Sequence, residues 1–137
     1  MNDRESAHQQ AQVVKTVVLL VEDHFDTRWS AAAYLRDTGF RVIEAFNGAE
    51  AKTVVQTAAH IDLVFTDISM PGPPDGYELA QWLATQYPKL PVLLTSGDHE
   101  NWNAYSKGWL REFVRKPYDL ERVAETIERM VGRQRAS

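Results

Sequence analysis

The chain has no cysteine, which excludes disulfide staples, thiolate metal sites and thiol nucleophiles. It has no apolar stretch long enough to span a bilayer, and its opening "MNDRESAHQQAQ" lacks the apolar region of a secretion signal. A cytoplasmic protein without a membrane segment is the expectation. A basic excess is missing too. The 15 Lys and Arg stand against 19 Asp and Glu, for a formal net charge of -4, so the overall balance draws the chain to neither nucleic acid nor anionic lipid. Glycine and proline are sparse, 7 and 6 of 137 residues, yet three prolines and two glycines crowd into the single loop "PGPPDG". So dense a cluster of breakers marks one stiff turn.

What is present is a composition of 44% hydrophobic and 25% charged residues, the balance of a globular chain long enough for one core. Residues 1–14 are polar and aperiodic and are expected to be a flexible tail, with the domain over 15–133 and a short tail over 134–137. Within the domain, apolar runs alternate with helical patterns five times. "VVLLV" (Val17–Val21), "RVIEA" (Arg41–Ala45), "DLVFT" (62–66), "PVLLT" (91–95) and "EFVR" (112–115) are the candidate strands. Between and after them, Ala51, Val54, Val55 and Ala58, then Gly76, Leu79, Ala80 and Leu83, then Leu120, Val123, Ala124, Ile127 and Val131 repeat at helical spacing. Asn47 with Glu50 and Asp75 with Glu78 have capping-box spacing, and Gly39 stands where the first helix should stop.

Five βα units with buried strands predict a parallel sheet covered on both faces. In such sheets ligands bind beyond the C-terminal strand ends. Five stretches therefore matter most, and four of them carry chemistry. Glu22 and Asp23 follow the first strand, Asp67 the third, Ser96 the fourth, and Lys116 with Pro117 the fifth. Each alone has a structural explanation, as a solvated loop acid, a turn or a boundary signal. Together on one edge, the carboxylates would repel unless a cation sat among them, and an all-oxygen set suits Mg²⁺. A lysine and a hydroxyl opposite would meet a three-oxygen anion. The predicted chemistry is a carboxylate nucleophile that accepts a phosphoryl group.

The stretches "VLLVEDHFDTR", "DLVFTDISMPGPPDGYELA", "PVLLTSG" and "FVRKPYDLERV" closely resemble the receiver domain of two-component response regulators, across residues 17–133. The resemblance implies a (βα)5 doubly wound α/β fold of the flavodoxin-like, CheY-like kind with strand order 2-1-3-4-5. It implies Asp67 as phosphoacceptor, with Glu22, Asp23, Asp67 and the Ser69 carbonyl holding Mg²⁺. Lys116, before a cis bond to Pro117, and Ser96 would contact the phosphoryl group. Phe113 takes the aromatic switch position, and Ser69 and Asp98 the positions that tune dephosphorylation. The implied partners are a histidine kinase or phosphotransfer protein and a downstream protein target, reached through the face of the fourth helix, fifth strand and fifth helix, with phosphorylation-linked dimerisation as an option. No direct nucleic-acid or membrane contact is expected. The chain would be a stand-alone signalling receiver that assists its own phosphorylation and dephosphorylation, not an enzyme in the usual sense.

Several residues depart from the common pattern. "MPGPPDG" is one residue longer than usual, Glu22 replaces a frequent Asp, and Phe113 lacks the hydroxyl of the Tyr often found there. The stretch between Ser96 and Lys116 is short and aromatic. Its Trp102, Tyr105 and Trp109 suit either a partner surface or core filling under a short helix, and His24 suits a solvated loop better than the metal. A haloacid dehalogenase-type phosphatase would want an Asp where Ser69 stands, and a flavodoxin-like carrier would want a phosphate loop where "EDHFD" stands. The rival that remains is a receiver-like module that binds proteins without being phosphorylated.

Overall fold

The computed structural model describes residues 14–58, 60–97 and 111–136. In chain order the elements are β1 (Val17–Val21), α1 (Phe25–Thr38), β2 (Arg41–Ala45), α2 (Gly48–Thr57), β3 (Leu63–Asp67), α3 (Gly76–Gln86), β4 (Val92–Ser96), β5 (Arg111–Arg115) and α4 (Leu120–Ala136). The strands form one sheet in the order β2-β1-β3-β4-β5, and every pair is parallel. This is the predicted order. The helix expected between the fourth and fifth strands falls on residues 98–110, with Asp98, Trp102, Tyr105 and Trp109, and lies outside the described residues.

The strand sequences explain the layering. β1, β3 and β4 are buried at every position, as befits strands covered on both faces. On one side Val18, Leu20, Leu63, Phe65 and Leu93 pack with α1 and α4 through Leu35, Val123 and Ile127. On the other, Leu19, Val21, Val64 and Leu94 pack with α2 and α3 through Ala51, Leu79 and Leu83. Alternate residues along each strand therefore feed opposite cores.

Helix ends follow their cap chemistry. Gly39 is left-handed, φ 115°, and its N–H and that of Phe40 return to Arg36 and Leu35 carbonyls. Asp75 and Glu78 form a reciprocal capping box. Asn47 accepts from the Glu50 N–H, but the Glu50 carboxylate takes the Phe46 N–H, one residue upstream of the predicted partner. α2 stops at Thr57, short of Ala58.

Three strands are displaced from their predicted ends. Proline has no N–H for a ladder, so β4 begins at Val92, after Pro91 has lent its carbonyl to Val64. At the other end the Ile68 N–H bonds to the Thr95 carbonyl, and that of Lys116 to the Ser96 carbonyl. Asp67 and Ser96 are thus the last residues of their strands, not the first of their loops. β5 starts one residue early, at Arg111. The C-terminal residues expected as a tail from 134 are helical through Ala136.

At the N-terminal edge of the sheet, Asp62 ties three segments together. Its carboxylate accepts from the Val17 N–H at 2.8 Å, from His60 Nε2 at 2.7 Å and from Arg135 Nη2 at 3.3 Å. Burial pushes its pKa up, but the Val17 and His60 hydrogen bonds outweigh that and leave it below the usual value. A depressed carboxylate pKa adds stability above the unfolded-state value and loses it as pH falls through the folded-state value. Asp62→Ala should therefore cost about 1–3 kcal/mol at pH 7, and urea melts should show the gap to wild type closing below about pH 4.

Gly76 is required for a different reason. A Cβ there would lie 1.9 Å from the Asp67 carbonyl oxygen and 2.5 Å from Ile68 Cα, both backbone atoms. Gly132, inside α4, has nothing within 4 Å of such a Cβ. Gly76→Ala should destabilise by about 1–3 kcal/mol, whereas Gly132→Ala should stabilise by roughly 0.5–1 kcal/mol. Denaturant midpoints of the two variants check the contrast.

Candidate functional site

The C-terminal edge of the sheet gathers residues that are far apart in sequence. β1 delivers Glu22 and Asp23, β3 ends on Asp67, β4 ends on Ser96, and β5 leads into Lys116. One carboxylate oxygen from each of Glu22, Asp23 and Asp67 lies within 4.8 Å of the other two, with Glu22 and Asp67 buried and Asp23 exposed. Lys116 Nζ stands 2.6 Å from Asp67 Oδ2 and 3.3 Å from Glu22 Oε1. The Lys116–Pro117 peptide bond is cis.

The remaining hydrogen bonds hold the two buried acids in place. Asp67 Oδ1 accepts the Ser69 N–H at 3.0 Å, and the buried Thr66 hydroxyl donates to the Asp67 carbonyl. Glu22 Oε2 accepts the His24 N–H at 3.0 Å. His24 itself is exposed, with its ring beside Thr27. Ser96 is buried at the end of β4, and Phe113 is half-buried against the core shared by α2 and α3. Asp98 lies outside the described residues.

The electrostatics follow from burial. Loss of solvent pushes the Glu22 pKa up, and the nearby Asp67 charge pushes it further, against the His24 N–H and Lys116. Burial works to lower the Lys116 pKa, but its hydrogen bond to Asp67 and the charges of Asp67 and Glu22 prevail and raise it. Lys116 therefore stays an ammonium throughout the physiological range. Three carboxylates face one ammonium, which leaves an acidic, oxygen-only cluster suited in donor type and charge to a hard divalent cation.

Two residues with no role in the sequence reading also border this edge. Tyr118 packs edge-on against Phe65, centroids 5.6 Å apart, and burial, followed by the Glu22 charge, raises its phenol pKa. Arg28, from the first turns of α1, donates to the Glu22 carbonyl at 2.9 Å. Its only sequence signal is a basic residue six positions after Glu22, which does not separate it from any surface arginine. A groove of about 600 Å³ opens beside Lys116, lined by Asp26, Thr27, Ser30 and Tyr118 among others.

Comparison with known proteins agrees with this arrangement. The sequence model of the response regulator receiver domain matches residues 18–128. The chain is 30% identical over 122 residues to the sensor kinase CckA of Brucella abortus, covering 85% of this chain and 13% of the kinase. It is 33% identical over 127 residues to response regulator Rre1 of Synechocystis, covering 88% of this chain and 53% of that protein. The chain thus spans about half the length, or less, of these curated relatives. Among solved structures, a response regulator receiver protein from Sinorhizobium medicae superposes with a TM-score of 0.80 at 25% identity, covering 88% of this chain and 97% of that one. The receiver domain of the hybrid histidine kinase CckA superposes at 0.70 with 32% identity, covering 84% and 98%. With a sheet of this order, an acidic strand-end cluster and a matched sequence over most of its length, the chain belongs to the response regulator receiver domain family of two-component systems.

Proposed function

We propose that Asp67 accepts a phosphoryl group from a phosphohistidine on a histidine kinase or phosphotransfer protein, and that a protein partner reads the product. The observation that carries this reading is the placement of Asp67. It is a buried carboxylate with one oxygen 2.6 Å from Lys116 Nζ, and it shares a 4.8 Å cluster with Glu22 and Asp23. A carboxylate oxygen of Asp67 attacks phosphorus, an acyl phosphate forms, and the P–N bond breaks with its electron pair passing to the donor imidazole. Lys116 meets charge on the transferring oxygens, and the strand end fixes the direction of approach.

Glu22, Asp23, Asp67 and the Ser69 carbonyl would hold Mg²⁺, which when bound would neutralise the acidic cluster and the phosphoryl charge. After transfer, the Ser96 hydroxyl turns to a phosphoryl oxygen and the half-buried Phe113 moves inward. The change reaches a partner through the face that includes β5 and α4. Ser69 and Asp98 set the acyl phosphate lifetime. The reading places the protein in the cytoplasm, where the kinases' phosphohistidines are made. It is consistent with the finding that no helix among the described residues is long and apolar enough to cross a membrane.

Incubation with acetyl phosphate and Mg²⁺, followed by intact mass, should show one added phosphoryl group, lost when Mg²⁺ is chelated. Asp67→Asn should show none. Labelling of Asp67→Asn as strong as wild type would reject Asp67 as the acceptor. An unlabelled wild type would favour the phosphorylation-independent binding module.

A further inference from the structure

We propose that Arg28 is the positioning residue that fixes the Glu22–Asp23 loop for its cation. The inference rests on the Mg²⁺ reading of the pocket and adds a residue to it. The Glu22 N–H extends the sheet by bonding to the Ala45 carbonyl at 3.0 Å. A parallel ladder would next supply a donor to the Glu22 carbonyl from the β2 side. Beyond Ala45, however, the chain is committed to α2. The register puts that donor at the Asn47 N–H, where the chain instead turns into α2 with Asn47 as its N-cap.

Arg28 provides the donor instead. Its Nη1 lies 2.9 Å from the Glu22 carbonyl and its Nε 3.2 Å from Glu44 Oε1 on β2. Arg36 holds the other Glu44 oxygen at 3.2 Å. The guanidinium lies over the Phe25 ring, 5.5 Å from its centroid, and the side chain is only 16% exposed. One planar fork thus joins the end of β1, the edge strand and the first turns of α1, a bridge that the single point charge of lysine cannot reproduce. The tethered carbonyl belongs to the residue whose carboxylate enters the cluster, one position before exposed Asp23.

Two ways in which Arg28 could act on a cation have opposite signs. As a charge, it repels a divalent ion, and its removal would tighten binding. As a tether for the ligand loop, its removal would loosen binding, and outer-shell partners of metal ligands are typically worth 10–100-fold in affinity. The tether predicts weaker binding in Arg28→Met, by about tenfold or more, and weaker binding also in Arg28→Lys, which keeps the charge and loses the fork.

The test uses the full chain by NMR. In the metal-free protein, the heteronuclear NOEs of the Asp23 and His24 amides should fall in Arg28→Met while those of β3 stay unchanged. Titration with Mg²⁺ should then give the affinity loss. A folded Arg28→Met with wild-type NOEs, or with equal or tighter Mg²⁺ binding, overturns the proposal. If Arg28→Met does not fold, Arg28→Lys decides by the same two readouts. A wild type that binds no Mg²⁺ sinks the reading of the pocket alone, and the metal-free NOEs still decide whether Arg28 tethers the loop.

Discussion

Two buried carboxylates, Glu22 and Asp67, share one edge of the sheet, and Lys116 reaches both. Burial alone favours the neutral acid, and so does a like charge nearby. Both effects act on Glu22. The ammonium between them offsets part of that cost, and the exposed Asp23 adds a third negative group at the mouth. The pocket is left short of positive charge. That deficit is a cost in stability, and it suits the cation and the phosphoryl group proposed for the site.

The topology explains why these residues meet. Parallel strands joined by crossovers on both faces leave one edge of the sheet where all the C-terminal strand ends converge. β1 and β3 are adjacent in the sheet, as are β3 and β4 and then β4 and β5. Asp67 therefore lies between the end that carries Glu22 and the one that carries Ser96. As the last ladder residue of β3, in register with Thr95, Asp67 has a backbone held by the sheet. A side chain anchored there would need little reorganisation to serve as the proposed nucleophile. Gly76 continues this logic, because α3 starts so close to the Asp67 carbonyl that no side chain fits between them.

Much of this was legible in the sequence, for identifiable reasons. Continuous apolar runs such as "VVLLV", β-branched at three of five positions, signal strands covered on both faces, and residues placed after such runs must share an edge if the sheet is parallel. Asp75 and Glu78 announced a capping box that the structure contains. Less legible were the features set by tertiary neighbours. The C-terminal ends of β3 and β4 moved by a residue because the ladder partner, not the local sequence, decides where pairing stops. Arg28 had no signal because its partners, a carbonyl and a glutamate 16 residues away, are adjacent only in the fold. The extra residue of "PGPPDG" also finds its setting in space. The Pro73–Pro74 bond is cis, and the Pro74 carbonyl packs so closely on Gly48 of α2 that a Cβ there would come within 2.2 Å. The loop is thus docked on a neighbouring helix.

The central claim is that the strand-end acids form one cation-dependent phosphoacceptor pocket. The most direct measurement is a crystal structure with Mg²⁺ and beryllofluoride, a phosphoryl mimic. The account predicts the mimic bonded to an Asp67 carboxylate oxygen and contacted by Lys116, with Mg²⁺ held by the acidic cluster and the Ser69 carbonyl. An Asp67 left bare at saturating beryllofluoride, or a cation bound away from Glu22, Asp23 and Asp67, would contradict it.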